Sequence, residues 1–200
     1  MENRNTPQQN DDELYSRYLS GDAKAGDLLM LRYADPLAAY LRSYLKSPED
    51  AEDLMLDCFA VILVDRPRIR EGCFRAYLFR IARHKACSLW KRKLQRSEFC
   101  LSEEMAEKAH EQSGTMDSGE TDPEEEVLAG ERDAVLRKCL SRITPQYREA
   151  LWLVYGLQFS YEQAAEVMSC GRKRINNLLV KGKKALRSEL EKEGITYADI

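Results

Sequence analysis

Two hundred residues at 44% hydrophobic content hold enough apolar material for one domain or two small ones. No run of about 18 apolar residues occurs, and the polar opening MENRNTPQQNDD lacks the apolar core of a secretory signal, so no membrane insertion and a cytoplasmic location are expected. The formal charge of −3 conceals a partition: residues 1–11 carry −1, 12–96 carry +4, 97–131 carry −11 and 132–200 carry +5.

Cys58, Cys73, Cys87, Cys100, Cys139 and Cys170 are scattered, with no CxxC pair and no histidine cluster beside them. That spacing offers no zinc site, and reduced thiols, several of them buried, are expected.

Residues 1–11 read as a disordered tail. Leu14, Tyr18 and Leu19 then form a short amphipathic helix ending near Gly21. Asp22 can cap a longer helix whose apolar positions include Leu28, Leu29, Tyr33, Leu37, Tyr40, Leu41 and Tyr44. Pro36 lies inside it and is predicted to kink or split it, because proline removes a backbone donor and crowds the preceding turn.

Ser47-Pro48-Glu49-Asp50 is a helix start: a capping hydroxyl, a proline at the first position, and two acids at the positive end of the dipole. The helix is predicted to reach about Val64, with Ala51, Leu54, Met55, Cys58, Phe59, Ile62 and Leu63 inward. Asp50, Glu52, Asp53 and Asp57 occupy another face. Clustered carboxylates can hold a divalent cation. With no histidine and no second acidic cluster, such a face is more often solvated or docked on a basic partner, so no metal and no cofactor are expected.

Residues 65–73, DRPRIREGC, form a basic loop with Arg66, Arg68 and Arg70. It leads into Phe74–Arg96, where Phe74, Leu78, Ile81, Ala82 and Leu89 share a helical face, flanked by Tyr77 and Phe79. From Arg66 to Arg96 there are eleven basic residues against one acid, Glu71. Aromatic rings among cations suit a nucleic-acid strand, since phosphates meet the charges and an exposed base stacks on a ring or guanidinium. A solvated basic helix is the plainer alternative.

Residues 97–131 are rich in Glu, Asp, Ser, Thr and Gly, and read as an acidic flexible linker unable to offset the entropy of ordering. A helix is predicted to resume after Pro123, and Thr144-Pro145 starts another. Ser160-Tyr161-Glu162-Gln163 is a capping box. After a tight turn at Ser169-Cys170-Gly171, a last helix buries Ile175, Leu178, Leu179, Gly182 and Leu186. Between Gly171 and Arg187 it carries seven basic residues and no acid. A short small-residue helix, a turn and a basic amphipathic helix form the helix-turn-helix pattern, whose second helix fits the DNA major groove. An ordinary helical hairpin is the alternative.

The two basic lobes together resemble bacterial sigma factors, the extracytoplasmic-function (ECF) group of the sigma-70 family above all. The first lobe carries SGDAKAGDLLMLRYADPLAAYLRSYL, PEDAEDLMLDCF and FRAYLFRIARHKACSLWKRK. The second runs from ITPQYREALWLVYGLQFSYEQAAEVMS to GRKRINNLLVKGKKALR. The resemblance implies an all-α fold of two small helical domains, 12–96 and 132–195, joined by the acidic linker 97–131, the second containing the helix-turn-helix.

It also implies partners and roles. Asp50, Glu52, Asp53 and Asp57 would dock on the clamp helices of the largest subunit of core RNA polymerase. Arg66, Arg68, Arg70, Arg75, Tyr77, Arg80, Arg83, His84, Lys85, Trp90, Lys91 and Arg92 would bind the minus-ten element of promoter DNA. Arg172, Lys173, Arg174, Asn176, Asn177 and Lys181 would read the minus-thirty-five element. An anti-sigma factor is implied as a regulatory partner. His84 stands where Asn is common, Ser169 where a turn Gly is frequent, and Gly171 where a capping Ser is frequent. Such a chain directs promoter-specific initiation and has no catalytic residue of its own. The alternative is a free-standing helix-turn-helix regulator.

Overall fold

The computed structural model describes residues 10–45, 47–100 and 131–195, and among these every regular element is helical. The first lobe comprises α1 (Asp11–Leu19), α2 (Ala23–Arg42), α3 (Pro48–Leu63) and α4 (Phe74–Cys100). The second comprises α5 (Glu131–Arg142), α6 (Pro145–Leu151), a π-helical turn over Trp152–Gly156, α7 (Tyr161–Val167) and α8 (Arg172–Lys192).

The predicted caps form. Asp22 accepts the Lys24 amide at 3.1 Å to start α2, and Ser47 accepts the Asp50 amide at 3.1 Å to start α3. In α7 the Ser160 hydroxyl accepts from the Gln163 amide at 3.1 Å, while the Gln163 side chain takes the Ser160 amide at 3.0 Å. Each cap satisfies an amide that the first turn leaves without an intrahelical partner.

The helix bounds differ from the expected ones at two places, and one alternative is decided. Residue 11 is no tail: Asp11 opens α1, and its carboxylate accepts from the side chains of Arg32 and Tyr33. The helix of the first lobe's basic stretch runs past Arg96 to Cys100 and so overlaps the first four residues of the expected 97–131 linker; residues 101–130, which hold most of it, lie outside the described residues. Of the two outcomes expected at Pro36, a kink or a split, the split does not occur: α2 continues from Ala23 to Arg42. A proline within a helix costs about 3 kcal/mol. Here Tyr33, Leu37, Ala38, Tyr40 and Leu41 are all buried on either side of it, which holds both halves to one core.

Phe79 was predicted to flank the apolar face of α4. It is instead fully buried, with its ring 5.3 Å from Tyr40 and 5.2 Å from Phe159. Phe74, Leu78, Ala82 and Ala86, spaced by four, complete the inward stripe. Because Phe159 belongs to the second lobe, the two lobes meet directly over α4.

In the second lobe the π-helical turn ends at Gly156, where a Cβ would come within 2.8 Å of the Trp152 ring, so a larger residue would displace the indole. Gly182 of α8 is similarly confined, with a built Cβ 3.2 Å from Tyr147 Cβ. The close approach at Gly182 brings α6 and α8 together. The turn between α7 and α8 places Ser169 at φ 50°, in the left-handed region.

Candidate nucleic-acid interface

The acidic face of α3 is accessible. Glu52, Asp53 and Asp57 are exposed, Asp50 is half-buried, and the Asp57 carboxylate lies 3.4 Å from Lys85 Nζ. Leu56 sits among these acids with 53% of its surface exposed, an apolar centre in a charged patch. Among the described residues, no group of three or more His, Cys, Asp or Glu is arranged to hold a metal ion.

The basic loop 65–73 is tied to α1. Tyr15 donates its hydroxyl to the Pro67 carbonyl at 2.7 Å, Tyr18 donates to the Leu63 carbonyl at 2.7 Å, and the Gly72 amide donates to Asp12 Oδ2 at 2.6 Å. Arg66 adopts φ 46° and lies over the Tyr18 ring, 5.2 Å from its centre. Arg68 and Arg70 are exposed, and Arg70 Nε donates to Cys73 Sγ at 3.2 Å.

On α4 the predicted strand-binding residues divide. His84, Lys91 and Arg92 are exposed, and Lys85 and Tyr77 are half-buried; the side chain of Trp90 lies outside the described ones. Tyr77, Arg80, His84, Lys85 and Lys91 border a cleft of about 630 Å³, closed on its far side by Val167 and Ser169 of the second lobe.

Arg75 and Arg83 face the second lobe instead. Arg83 Nε donates to Glu149 Oε1 at 2.7 Å. The same oxygen accepts from the Tyr40 hydroxyl at 2.9 Å, and Tyr40 and Tyr44 hydroxyls lie 3.1 Å apart. Burial opposes the Arg83 charge, yet the Glu149 carboxylate outweighs it and holds its pKa above the ordinary arginine value. Burial, with Glu149 beside it, likewise pushes Tyr40 well up. Arg75 donates to the Leu157 carbonyl and covers the Phe159 ring at 4.2 Å. Arg80 and Arg70 reach toward Glu166 at 4.0 and 3.9 Å.

Glu149 is the residue that sequence reasoning missed. It is the one buried charged side chain among the described residues. A signal was present: it is the lone acid between Asp133 and Glu162, set inside the apolar run EALWLV.

The helix-turn-helix forms as expected. Ile175, Leu178, Leu179 and Gly182 of α8 are buried, while Arg172, Lys173, Arg174, Asn176, Asn177 and Lys181 are all exposed outside that stripe. Arg172 pairs with Glu162 at 3.0 Å, and Arg174 reaches Gln146 at 3.4 Å. Both contacts are solvent-exposed and contribute little to stability.

Residues 29–96 match the family described as Sigma-70 region 2, and residues 133–186 match Sigma-70, region 4, which together span more than half of the chain. The chain belongs to the sigma-70 family. This sigma factor is 25% identical over 186 residues to the RNA polymerase sigma-H factor of Pseudomonas aeruginosa, covering 92% of the chain and 95% of that relative. It is 25% identical over 184 residues to the ECF RNA polymerase sigma-E factor of Haemophilus influenzae, covering 90% of the chain and 95% of that relative.

Its fold is also that of solved sigma factors. CnrH, solved in complex with the cytosolic domain of CnrY, superposes with a TM-score of 0.62 at 22% identity, covering 90% of this chain and 97% of that one. The sigma factor RpoE, solved with the anti-sigma factor NepR from Bartonella quintana, gives 0.61 at 23% identity, covering 82% and 96%. No helix among the described residues is long and apolar enough to cross a membrane.

Proposed function

We propose that this ECF-type sigma factor divides initiation among three surfaces: the acidic face of α3 for core RNA polymerase, the 65–73 loop with α4 for the minus-ten element, and α8 for the minus-thirty-five element. As a sigma factor it binds core polymerase and directs promoter-specific transcription. Nucleotide joining belongs to the polymerase, so the chain acts without catalytic residues or a cofactor, in the cytoplasm where the polymerase works.

The observation that carries the reading is the presence of region 2 and region 4 in that order, each with the charged surface its task needs. Asp50, Glu52, Asp53 and Asp57 present negative charge around Leu56, which suits a basic, partly apolar helical partner. Arg66, Arg68, Arg70, Tyr77, Arg80, His84, Lys85, Trp90, Lys91 and Arg92, with Arg75 and Arg83, supply cations and rings to an unpaired strand. Arg172, Lys173, Arg174, Asn176, Asn177 and Lys181 are exposed on α8, which suits base and phosphate contacts in a major groove.

For an anti-sigma factor, the surface on offer is an apolar groove of about 690 Å³ between the lobes, bordered by Tyr40, Leu140, Leu151, Trp152 and Leu186. The test is transcription in vitro. Mixed with sigma-free bacterial polymerase and host promoter fragments, the chain yields defined transcripts. Equal affinity for duplex promoter DNA with and without polymerase, and no transcripts, would turn the assignment toward a free-standing regulator.

A further inference from the structure

We infer that Val180 of α8 is a specificity determinant: it reads the C5-methyl group of a pyrimidine in the minus-thirty-five element, and so selects thymine over cytosine unless the cytosine is itself methylated at C5. The inference rests on the minus-thirty-five role proposed above for α8, and it adds a residue outside the set given that role there.

Among the described residues, Val180 is the one large apolar side chain of α8 that lies open, with 62% of its surface exposed. The fold does not call for it. The buried stripe of the helix is complete without it, in Ile175, Leu178, Leu179 and Gly182. At about 3.6 residues per turn, Val180 points roughly opposite that stripe. One turn before it stand Asn176 and Asn177, and one turn after it Lys184, all exposed. Lys183 is drawn aside, its Nζ 4.6 Å from the centre of the Tyr155 ring. Val180 also lies off the groove between the lobes, which Lys183 and Leu186 border. It therefore occupies the middle of the outward face of α8, ringed by amides and ammonium groups.

An apolar side chain at that place calls for an apolar partner. Base edges in the major groove offer donors and acceptors to polar side chains and one apolar group, the C5-methyl of thymine. Cytosine carries a hydrogen at that position, which leaves the valine methyls facing a gap. Methylation of cytosine at C5 fills the gap again. Asparagine pairs with N6 and N7 of adenine through both ends of its amide. With Asn176 and Asn177 one turn away, the face is matched to A·T pairs: an amide meets the purine, and the valine meets a methyl nearby. Valine in a helix is held largely to one χ1 rotamer, so little side-chain freedom is lost when the contact forms.

The experiment uses the full chain assembled with sigma-free bacterial polymerase. The complex selects upstream sequences from a duplex pool randomised over the minus-thirty-five region. Binding of the selected duplex is measured by fluorescence anisotropy, beside copies in which one thymine at a time is replaced by uracil, a change confined to the methyl group. At one position uracil should weaken wild-type binding about fourfold, the worth of one buried methyl-sized group. Val180→Ala should bind the thymine duplex about as weakly and be indifferent to that uracil. Cytosine at the same position should bind more weakly still, and 5-methylcytosine there should recover part of the loss for the wild-type chain alone. Because the side chain is exposed, the variant should keep the wild-type melting temperature. A selected element without thymine, or wild-type binding insensitive to every uracil, overturns the inference. So does a loss in Val180→Ala that leaves the response to uracil intact. Asn176→Ala separates this failure from a wider one: if it too leaves the selected sequence pattern unchanged, the minus-thirty-five role of α8 fails with it.

Discussion

The Tyr15 hydroxyl donates to the Pro67 carbonyl at 2.7 Å, joining α1 to a loop 52 residues further along the chain. Pro67 lies between Arg66 and Arg68, so this bond fixes the backbone that carries two of the cations assigned to the minus-ten element. Tyr15→Phe should cost about 1 kcal/mol of stability, the usual worth of one such hydrogen bond. Its larger effect should be on the loop: faster amide exchange over residues 65–72 and weaker promoter opening, with polymerase binding unchanged. Exchange mass spectrometry and a polymerase pull-down separate the two.

The acidic face of α3 invites a charge reversal. Asp53 is exposed and needs no partner within the chain to hold the fold, so Asp53→Arg should leave the melting temperature near wild type. Polymerase affinity should drop at least about tenfold, because a rim charge facing an oppositely charged surface becomes a repulsion. Leu56→Ala should weaken the same interaction by lost apolar burial, with much less dependence on salt. Wild-type affinity in both variants, measured by competition with another sigma factor, would remove this face from consideration.

Arg174 tests how α8 reads DNA. Arg174→Ala should cost about 1–3 kcal/mol on a cognate upstream element if the side chain pairs with a base edge. A loss that is the same on every sequence, accompanied by a shallower salt dependence, assigns Arg174 to a phosphate instead. Fluorescence anisotropy of polymerase-bound sigma factor on a panel of upstream sequences distinguishes these outcomes.

Alkaline pH should destabilise the first lobe in a defined window. Burial pushes the Cys58 thiol up to about 12, against an ordinary value of 9.0. Between these values the unfolded chain has released the proton while the folded chain keeps it. Stability is therefore intact below about pH 9 and declines toward about pH 12, by about 1.4 kcal/mol per pH unit for each such group. Burial raises Tyr40 and Tyr44 too, which deepens the decline. Urea unfolding at pH 8 and about pH 10.5 measures the slope, and Cys58→Ala should remove part of it. At neutral pH, Cys58 should resist iodoacetamide until the chain is unfolded.

Ser160→Ala removes one half of the α7 capping box and should cost about 1 kcal/mol. Since α7 packs on both α8 and α4, the lost cap should lower the melting temperature and loosen the second lobe's seat on the first. Far-ultraviolet circular dichroism during heating measures the loss, since tryptophan fluorescence would mix Trp90 of the first lobe with Trp152 of the second.

Local chemistry was legible in the sequence, and long-range partnership was not. The caps at Asp22, Ser47 and Ser160 depend on residues within three positions of one another, and each forms as read. The buried stripe of α8 follows directly from its spacing. Arg83 and Glu149 are 66 positions apart, and nothing in the period of either helix announces that they meet. Phe79 was misjudged for a related reason. Helical periodicity put it on the margin of the first lobe's core, and only a second lobe on that side makes the margin an interior. At Pro36 the local rule left a kink or a split open, and burial on both sides of the proline accompanies an unbroken helix.

Ser169 joins the two helices of the DNA-reading motif with φ at 50°, a conformation that favours glycine or asparagine over serine. The junction therefore holds tension that a single codon change could relieve. In a lineage under thermal stress, replacement at this site is an accessible route to a sturdier reading head, because it leaves untouched every residue that faces the promoter.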